Sequence, residues 1–340
     1  MIKLNFGFCA PVFAGAGDNH AQSPLLERVD THFLADAIVE AEQLGYDSLW
    51  VPDHLMLGRD SLILEGLTFL AWASRLTSMR LGTIHLSNIL RSPALTAKMI
   101  ATLDVISEGR VEFFFEGGHQ GIRAESEAYG YEFGDESTLA AKYIEAIQLI
   151  KSMWQDDHPS FSGKHYQING AICQPRPVQS PHPPIWIGAF PKIALNNSAE
   201  RPQIADVIAK YADGCKVGPS SVSDTRAMLK TIEHACSDIG RDFSGLNKLY
   251  ATQILIAESE SQVQRIQDLI ISRNPNTPHH SNRDALSERY LIGDVKTVTR
   301  RIQDYAELGI NNFYLWFMDY PSLDGVRLFA NEVMPYFKED

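Results

Sequence analysis

A parallel (β/α)8 barrel is the fold the sequence predicts. Eight short apolar runs recur along the 340 residues, amphipathic stretches with helical spacing separate them, and no compositional break marks a linker. Residues 1–340 are therefore expected to form a single barrel domain with extended loops at the C-terminal face. Loops 11–30 and 272–284 are the candidate lids. A large doubly wound sheet is the alternative, but no GxGxxG follows the first strand.

The elements follow in order. Leu4 to Phe8 reads as the first strand. Asp30 or Thr31 can cap a helix whose inner face is Leu34, Ile38, Ala41 and Leu44, and Gly45 ends it. Ser48 to Val51 is the second strand, with Pro52-Asp53-His54 at its end, and Gly66 to Leu76 the next helix. Leu81 to Leu86 and Val111 to Phe115 are the third and fourth strands. A helix from Ala94 to Leu103 connects them, which is the crossover that a parallel pair requires. Ser137 to Trp154 is a long amphipathic helix, and 155–183 is proline-rich and irregular. Pro184 to Ile187, Gly214 to Val217, Leu249 to Ile256 and Phe313 to Trp316 supply the remaining strands. Helices are expected over Ile204–Ala212, Ser223–Ile239, Asp294–Leu308 and Ser322–Phe337. Residues 272–284 have the composition of a disordered segment, and His279-His280 within it read as solvated.

The bulk composition narrows the partners. With 44% apolar and 21% charged residues the chain is an ordinary globular protein. A net charge of −12 and a pI near 5.4 give no footprint for nucleic acid and argue against an anionic membrane surface. No apolar run reaches the length of a membrane span, and MIKLNFGF lacks a signal-peptide core, so a cytoplasmic location is expected. Cys9, Cys173, Cys215 and Cys236 are widely spaced and form no CxxC pair, so they read as reduced, buried thiols.

In a parallel barrel the strands' C-terminal ends carry the chemistry. Here they carry Cys9, Asp53-His54, His85, Asn88, Glu116-Gly117-Gly118-His119, Gly188-Ala189, Lys216 and Phe317 to Asp319. Exposed N–H groups at Gly117-Gly118 and Gly188-Ala189 suit an anion such as a cofactor phosphate, and the glycines admit a planar ring. His54 suits proton handling near neutral pH, with Asp53 as its orienting group or as a cap. Glu116 and His119 read either as site residues or as solvated loop residues. No HxxxH or HxH pair occurs, so no metal is expected. No GxSxG motif points to a hydrolase.

Several stretches together carry a resemblance: ADAIVEAEQLGYDSLWVPDHL (35–55), LGTIHLSNILRSPALTAKMIATLDVISEGRVEF (81–113), HPPIWIGA (182–189) with YADG (211–214), and LIGDVKTVTRRIQDYAELGINNFYLWF (291–317). In this order they resemble the bacterial luciferase-like superfamily of FMN- and coenzyme-F420-dependent oxidoreductases. The resemblance implies a barrel holding a reduced flavin or deazaflavin at its mouth. It also implies a non-prolyl cis peptide at Ile84-His85 that backs the ring, and a homodimer. Ile84, His85, Asn88, Glu116, Gly117, Gly118, Gly188, Ala189 and Lys216 are the expected cofactor-binding residues; His54 and His119 are the expected catalytic ones. The fourth strand departs from the family's glycine-rich exit with Phe114, Glu116 and Gly118. His119 stands where F420-dependent relatives often carry an acidic proton donor, while Asp53-His54 is similar to the F420 branch.

The first functional expectation is a two-component monooxygenase using FMNH2 and O2 on a small, fairly apolar organic substrate, with a separate flavin reductase. The alternative keeps the barrel and uses F420H2 for hydride transfer, with Arg91, Lys192 and Lys216 available to an anionic cofactor tail. A third reading is a non-catalytic flavin-binding protein.

Overall fold

The computed structural model describes residues 3–15, 23–188, 204–274 and 280–338. The eight expected strands are all present: β1 Asn5–Cys9, β2 Ser48–Val51, β3 Arg80–Thr83, β4 Val111–Glu116, β5 Ile185–Gly188, β6 Gly214–Val217, β7 Asn247–Ala257 and β8 Asn312–Phe317. Each pairs in parallel with its successor, and β8 closes on β1. The result is a closed (β/α)8 barrel. The doubly wound alternative is excluded, because closure leaves no free edge among these eight strands.

The two-residue alternation of strands sorts side chains into two cores. On β4, Phe113 and Phe115 point outward and pack with Tyr143 and Trp154 of helix Glu136–Gln155. Phe114 points inward with Cys9, Trp50, Ile84, Trp186, Leu249, Ala251, Tyr314 and Trp316. Trp50 and Tyr314 stack with centroids 4.0 Å apart. Gly82 makes that possible: a Cβ there would lie 2.2 Å from the Trp50 ring. At the barrel's base, Glu112 pairs with Arg80 and accepts the Trp186 indole N–H.

Helix starts follow their caps. Asp30, of the two candidates, accepts from the N–H groups of His32 and Phe33 and begins Thr31–Gln43. Ser92 caps Pro93–Ile106, with proline in the first turn, where its missing N–H costs nothing. Asp294 caps Val295–Ala306. The last expected helix is two, Asp324–Glu332 and Pro335–Lys338. Elements that sequence reasoning left unassigned include helices Arg123–Ala128, Glu260–Arg273 and Arg283–Arg289, the antiparallel pair Phe161–Ser162 with Gln167–Ile168, and strand Leu291–Asp294. That last strand pairs with Ile254–Ala257, the upper part of β7 beyond its pairing with β6.

The candidate lids fall partly outside the described residues. In loop 11–30, Phe13 bridges to Ile63, and Ser23 to Leu26 are buried. Segment 272–284 is more ordered than its composition predicts at its two ends. Ile271 to Arg273 finish a helix, and Asn282 caps Arg283–Arg289. His280 is fully buried near Tyr290, which overturns its reading as solvated; His279 lies outside the described residues.

Candidate active site at the barrel mouth

β2 delivers Asp53 and His54 to the mouth, and the two neighbours do different work. Asp53 turns inward and meets Arg91 through two hydrogen bonds of 2.7 Å, while its Oδ2 accepts the Ser87 N–H at 2.9 Å. Arg91 also donates to Glu65, the cap of helix Gly66–Ala73, at 2.6 Å. Asp53 therefore does not orient His54, and Arg91 is committed to two carboxylates rather than to a cofactor tail.

Glu125 orients His54. Its Oε1 lies 2.7 Å from His54 Nδ1, and its Oε2 accepts the N–H groups of Leu55 and Met56 at 2.8 and 3.0 Å. Burial disfavours the His54 imidazolium. The Glu125 hydrogen bond and charge, with Glu116 and Asp53 further off, outweigh burial and raise the pKa. Burial likewise disfavours the Glu125 carboxylate, and the same contacts keep its pKa below the ordinary value. Sequence reasoning missed Glu125. The signal was its spacing: Ile122, which precedes the short helix Arg123–Ala128, and Glu125 and Ser126 within it fall three and four apart, and all three are buried.

A second cluster lies beneath. The Ile84–His85 peptide is cis, as the resemblance implies. His85 Nδ1 lies 3.0 Å from Glu116 Oε2, and its Nε2 lies 3.2 Å from Lys216 Nζ. Burial pushes His85 down to about 4, against the pull of Glu116 and with the push of Lys216. Burial also opposes the Glu116 carboxylate, but His85, His119 and His54 more than offset it, and its pKa is lowered. Lys216, 6% exposed, is brought down to about 8 mainly by burial. At neutral pH the order is carboxylate, neutral imidazole, ammonium, and these partners assign the imidazole proton to Nδ1.

The other expected residues divide. His119 joins the cluster, its Nε2 being 3.6 Å from Glu116 Oε1 while its Nδ1 accepts the Gly121 N–H. Gly188 ends β5 beside Lys216, and Ala189 lies outside the described residues, as does Lys192. Asn88 turns away from the barrel: its Nδ2 donates to Tyr166 at 3.2 Å, and it lines a cavity of about 210 Å³ with Lys142 and Tyr166. The two glycines answer to helix and loop packing. A Cβ on Gly117 would meet Tyr143 at 2.9 Å, and one on Gly118, whose φ is +94°, would meet Ile89 at 2.2 Å. Gly118→Val is thus expected to lower the unfolding free energy by about 2 kcal/mol or more, from overpacking plus a backbone angle valine avoids. An unchanged urea midpoint would exclude this account. Asp319, expected at the mouth, turns to the start of helix Asp324–Glu332, where its Oδ2 accepts the Gly325 N–H at 2.9 Å. Its burial there lifts its pKa to about 6.

One group tests whether a cofactor ring fits. The indole N–H of Trp316 is buried inside the barrel with no acceptor among the described residues, surrounded by Trp50, Phe114, Trp186 and Tyr314. An orphaned buried donor is costly unless a ligand satisfies it. A planar ring carrying carbonyl or nitrogen acceptors, as a flavin or deazaflavin does, fits this aromatic surround. Among the described residues, no group of three His, Cys, Asp or Glu could hold a metal ion, and no helix is long and apolar enough to cross a membrane.

Comparison with known proteins agrees with this geometry. The luciferase-like monooxygenase family matches residues 4–312. The chain belongs to that family. Its members include F420-dependent glucose-6-phosphate dehydrogenase from Kineococcus radiotolerans, 34% identical over 235 residues, which are 67% of this chain and 65% of that relative. The chain thus matches just under two thirds of that relative's length. Two solved structures share the luciferase-like fold over nearly the whole chain. Monooxygenase RslO1 from Streptomyces bottropensis is 21% identical with a TM-score of 0.77, covering 98% of this chain and 100% of its own. An F420-dependent secondary alcohol dehydrogenase is 18% identical with a TM-score of 0.78, covering 99% and 100%. The relatives it matches include F420-dependent dehydrogenases and a monooxygenase.

Proposed function

We propose that this protein is a hydride-transfer oxidoreductase using reduced coenzyme F420 on a small organic substrate, with His54 as the proton-transfer group. The observation that carries the reading is the His54–Glu125 pair at 2.7 Å. A bound reduced deazaflavin supplies a hydride; the chain must then supply or remove one proton. Glu125 holds Nδ1, and the proton exchange with substrate is assigned to Nε2. Trp316 would hold an acceptor of the ring, Ile84-His85 would back it, and Gly188 at the end of β5 would lie toward the phosphate.

The density of ionisable groups favours this chemistry over oxygenation. His54, His85, Glu116, His119, Glu125 and Lys216 crowd one mouth, whereas protecting an oxygenated flavin calls for a dry, proton-poor site. The F420-dependent relative at 34% identity supports the same choice. Net acidity, which disfavours an anionic F420 tail, is a property of the whole surface and weighs less than these local groups. The second reading is the two-component FMN monooxygenase with its separate reductase. The aromatic walls of Trp50, Phe114, Trp186 and Tyr314 favour it.

Anaerobic titration with F420H2 and with FMNH2, each followed by O2, decides between them. Selective F420H2 binding with no accelerated oxygen consumption is expected. Selective FMNH2 binding followed by rapid oxygen consumption would overturn the proposal in favour of the monooxygenase.

A further inference from the structure

The cluster under the mouth follows from strand register. Phe114 of β4 lies beside Trp186 of β5; carried two residues on, that register sets Glu116 level with Gly188, and Gly188 is level with Lys216 of β6. Glu116 and Lys216 thus face the interior with a residue lacking a side chain between them. The cis-linked His85 fills the gap and touches both. Among the described residues, the titratable groups around this chain include Cys9 from β1, His54 from beyond β2, His119 from beyond β4, Tyr143 from helix Glu136–Gln155 and Arg289 from helix Arg283–Arg289.

We propose that Lys216, His85 and Glu116 form a proton relay that converts Glu116 from a carboxylate into a neutral carboxylic acid when a cofactor ring docks at the mouth, with no proton taken from solvent. The inference rests on the mouth being the cofactor site. Its balance is simple. Lys216 Nζ gives one proton to His85 Nε2, and His85 Nδ1 gives its own proton to Glu116 Oε2. The imidazole stays neutral and changes tautomer, while Lys216 and Glu116 each lose their charge. Every heavy atom keeps its place, because each hydrogen bond only reverses direction. Before docking, the ammonium and carboxylate stabilise each other across the imidazole. Docking excludes water and favours the uncharged arrangement, since a fixed negative charge beside an electron-rich reduced ring is unfavourable and a neutral acid is not. His85 and Lys216 are on this account positioning residues that act through Glu116.

Two measurements test the relay. The first uses the free protein: a 15N NMR titration of the His85 ring in wild type, Lys216→Met and Lys216→Arg, with the signal assigned by His85→Gln. Wild-type His85 is expected to remain neutral, with its proton on Nδ1, from pH 8 down to pH 5. Lys216→Met should raise its apparent pKa by at least about one unit, because a neighbouring cation is gone, and Lys216→Arg should restore the wild-type curve. A lysine that merely fills space would leave the titration where it was, and that result overturns the relay. The second is anaerobic calorimetry of F420H2 and of FMNH2 binding at pH 7 in two buffers of different ionisation enthalpy. Wild type is expected to take up no proton, and Lys216→Met about one per ring bound. Proton uptake by wild type overturns the relay. If neither cofactor binds, the cofactor reading fails, and the relay with it, even where the His85 titration has shown the three groups coupled.

Discussion

Replacing Asp53 with Ala is expected to destabilise the protein by about 3–5 kcal/mol, the cost typical of removing one partner from a buried ion pair. Arg91 is fixed by two hydrogen bonds to Asp53, and its side chain is 9% exposed. Without Asp53 the guanidinium keeps only Glu65, and the Ser87 N–H loses its acceptor. The damage spreads because these contacts tie three segments together: the end of β2, the stretch after the cis peptide, and the first turn of helix Gly66–Ala73. Urea denaturation checks the magnitude, and a loss below about 1 kcal/mol would place the pair among the weak surface bridges. The double replacement Asp53→Ala with Arg91→Met separates the two contributions. It should recover part of the loss, since the buried charge is gone along with its partner. No recovery would mean that the Ser87 contact, not the ion pair, carries the effect.

The barrel was legible because its signal is repeated. Eight apolar runs with helical stretches between them have few topological solutions, and an error at one element does not change the rest. Strand Leu291–Asp294 escaped because LIGD is short and runs directly into the capped helix Val295–Ala306, so its apolar residues read as a helix approach. The site was legible as a set of positions and much less as a set of contacts. Strand ends placed His54, His85, Glu116, His119 and Lys216 at one face, but sequence adjacency suggested Asp53 as the partner of His54. The backbone instead sends those side chains in different directions, and the partner comes from 71 positions further on. Asn88 and Gly118 show the complementary limit. Both lie at strand ends, yet one turns to Tyr166 and the other accommodates Ile89, because strand alternation and loop packing, not position alone, decide what a residue faces.

His54→Ala is expected to lower kcat by about 10²-fold or more while leaving the fold intact, the usual contribution of a general acid–base group. The sharper test is Glu125→Gln, which keeps the size and one hydrogen bond but removes the charge. Glu125 raises the His54 pKa, so the wild-type pH profile should lose activity on the alkaline side only above the ordinary histidine range, where the donor form is lost. Glu125→Gln should bring that limb to lower pH, and an alkaline limb that stays in place would remove Glu125 from the account. Stability follows the same two groups in opposite directions of pH. The raised His54 contributes stability that is full below about pH 6.5 and lost as pH rises through its folded value. The lowered Glu125 contributes stability present above about pH 4.5 and lost as pH falls through its folded value. The pair therefore stabilises most between those limits, and Glu125→Gln should narrow the wild-type advantage on both sides of that window. A urea midpoint difference between wild type and Glu125→Gln that is constant from pH 4 to pH 9 would show that the 2.7 Å contact is not charge-assisted, and His54 would then lose its claim to an elevated pKa.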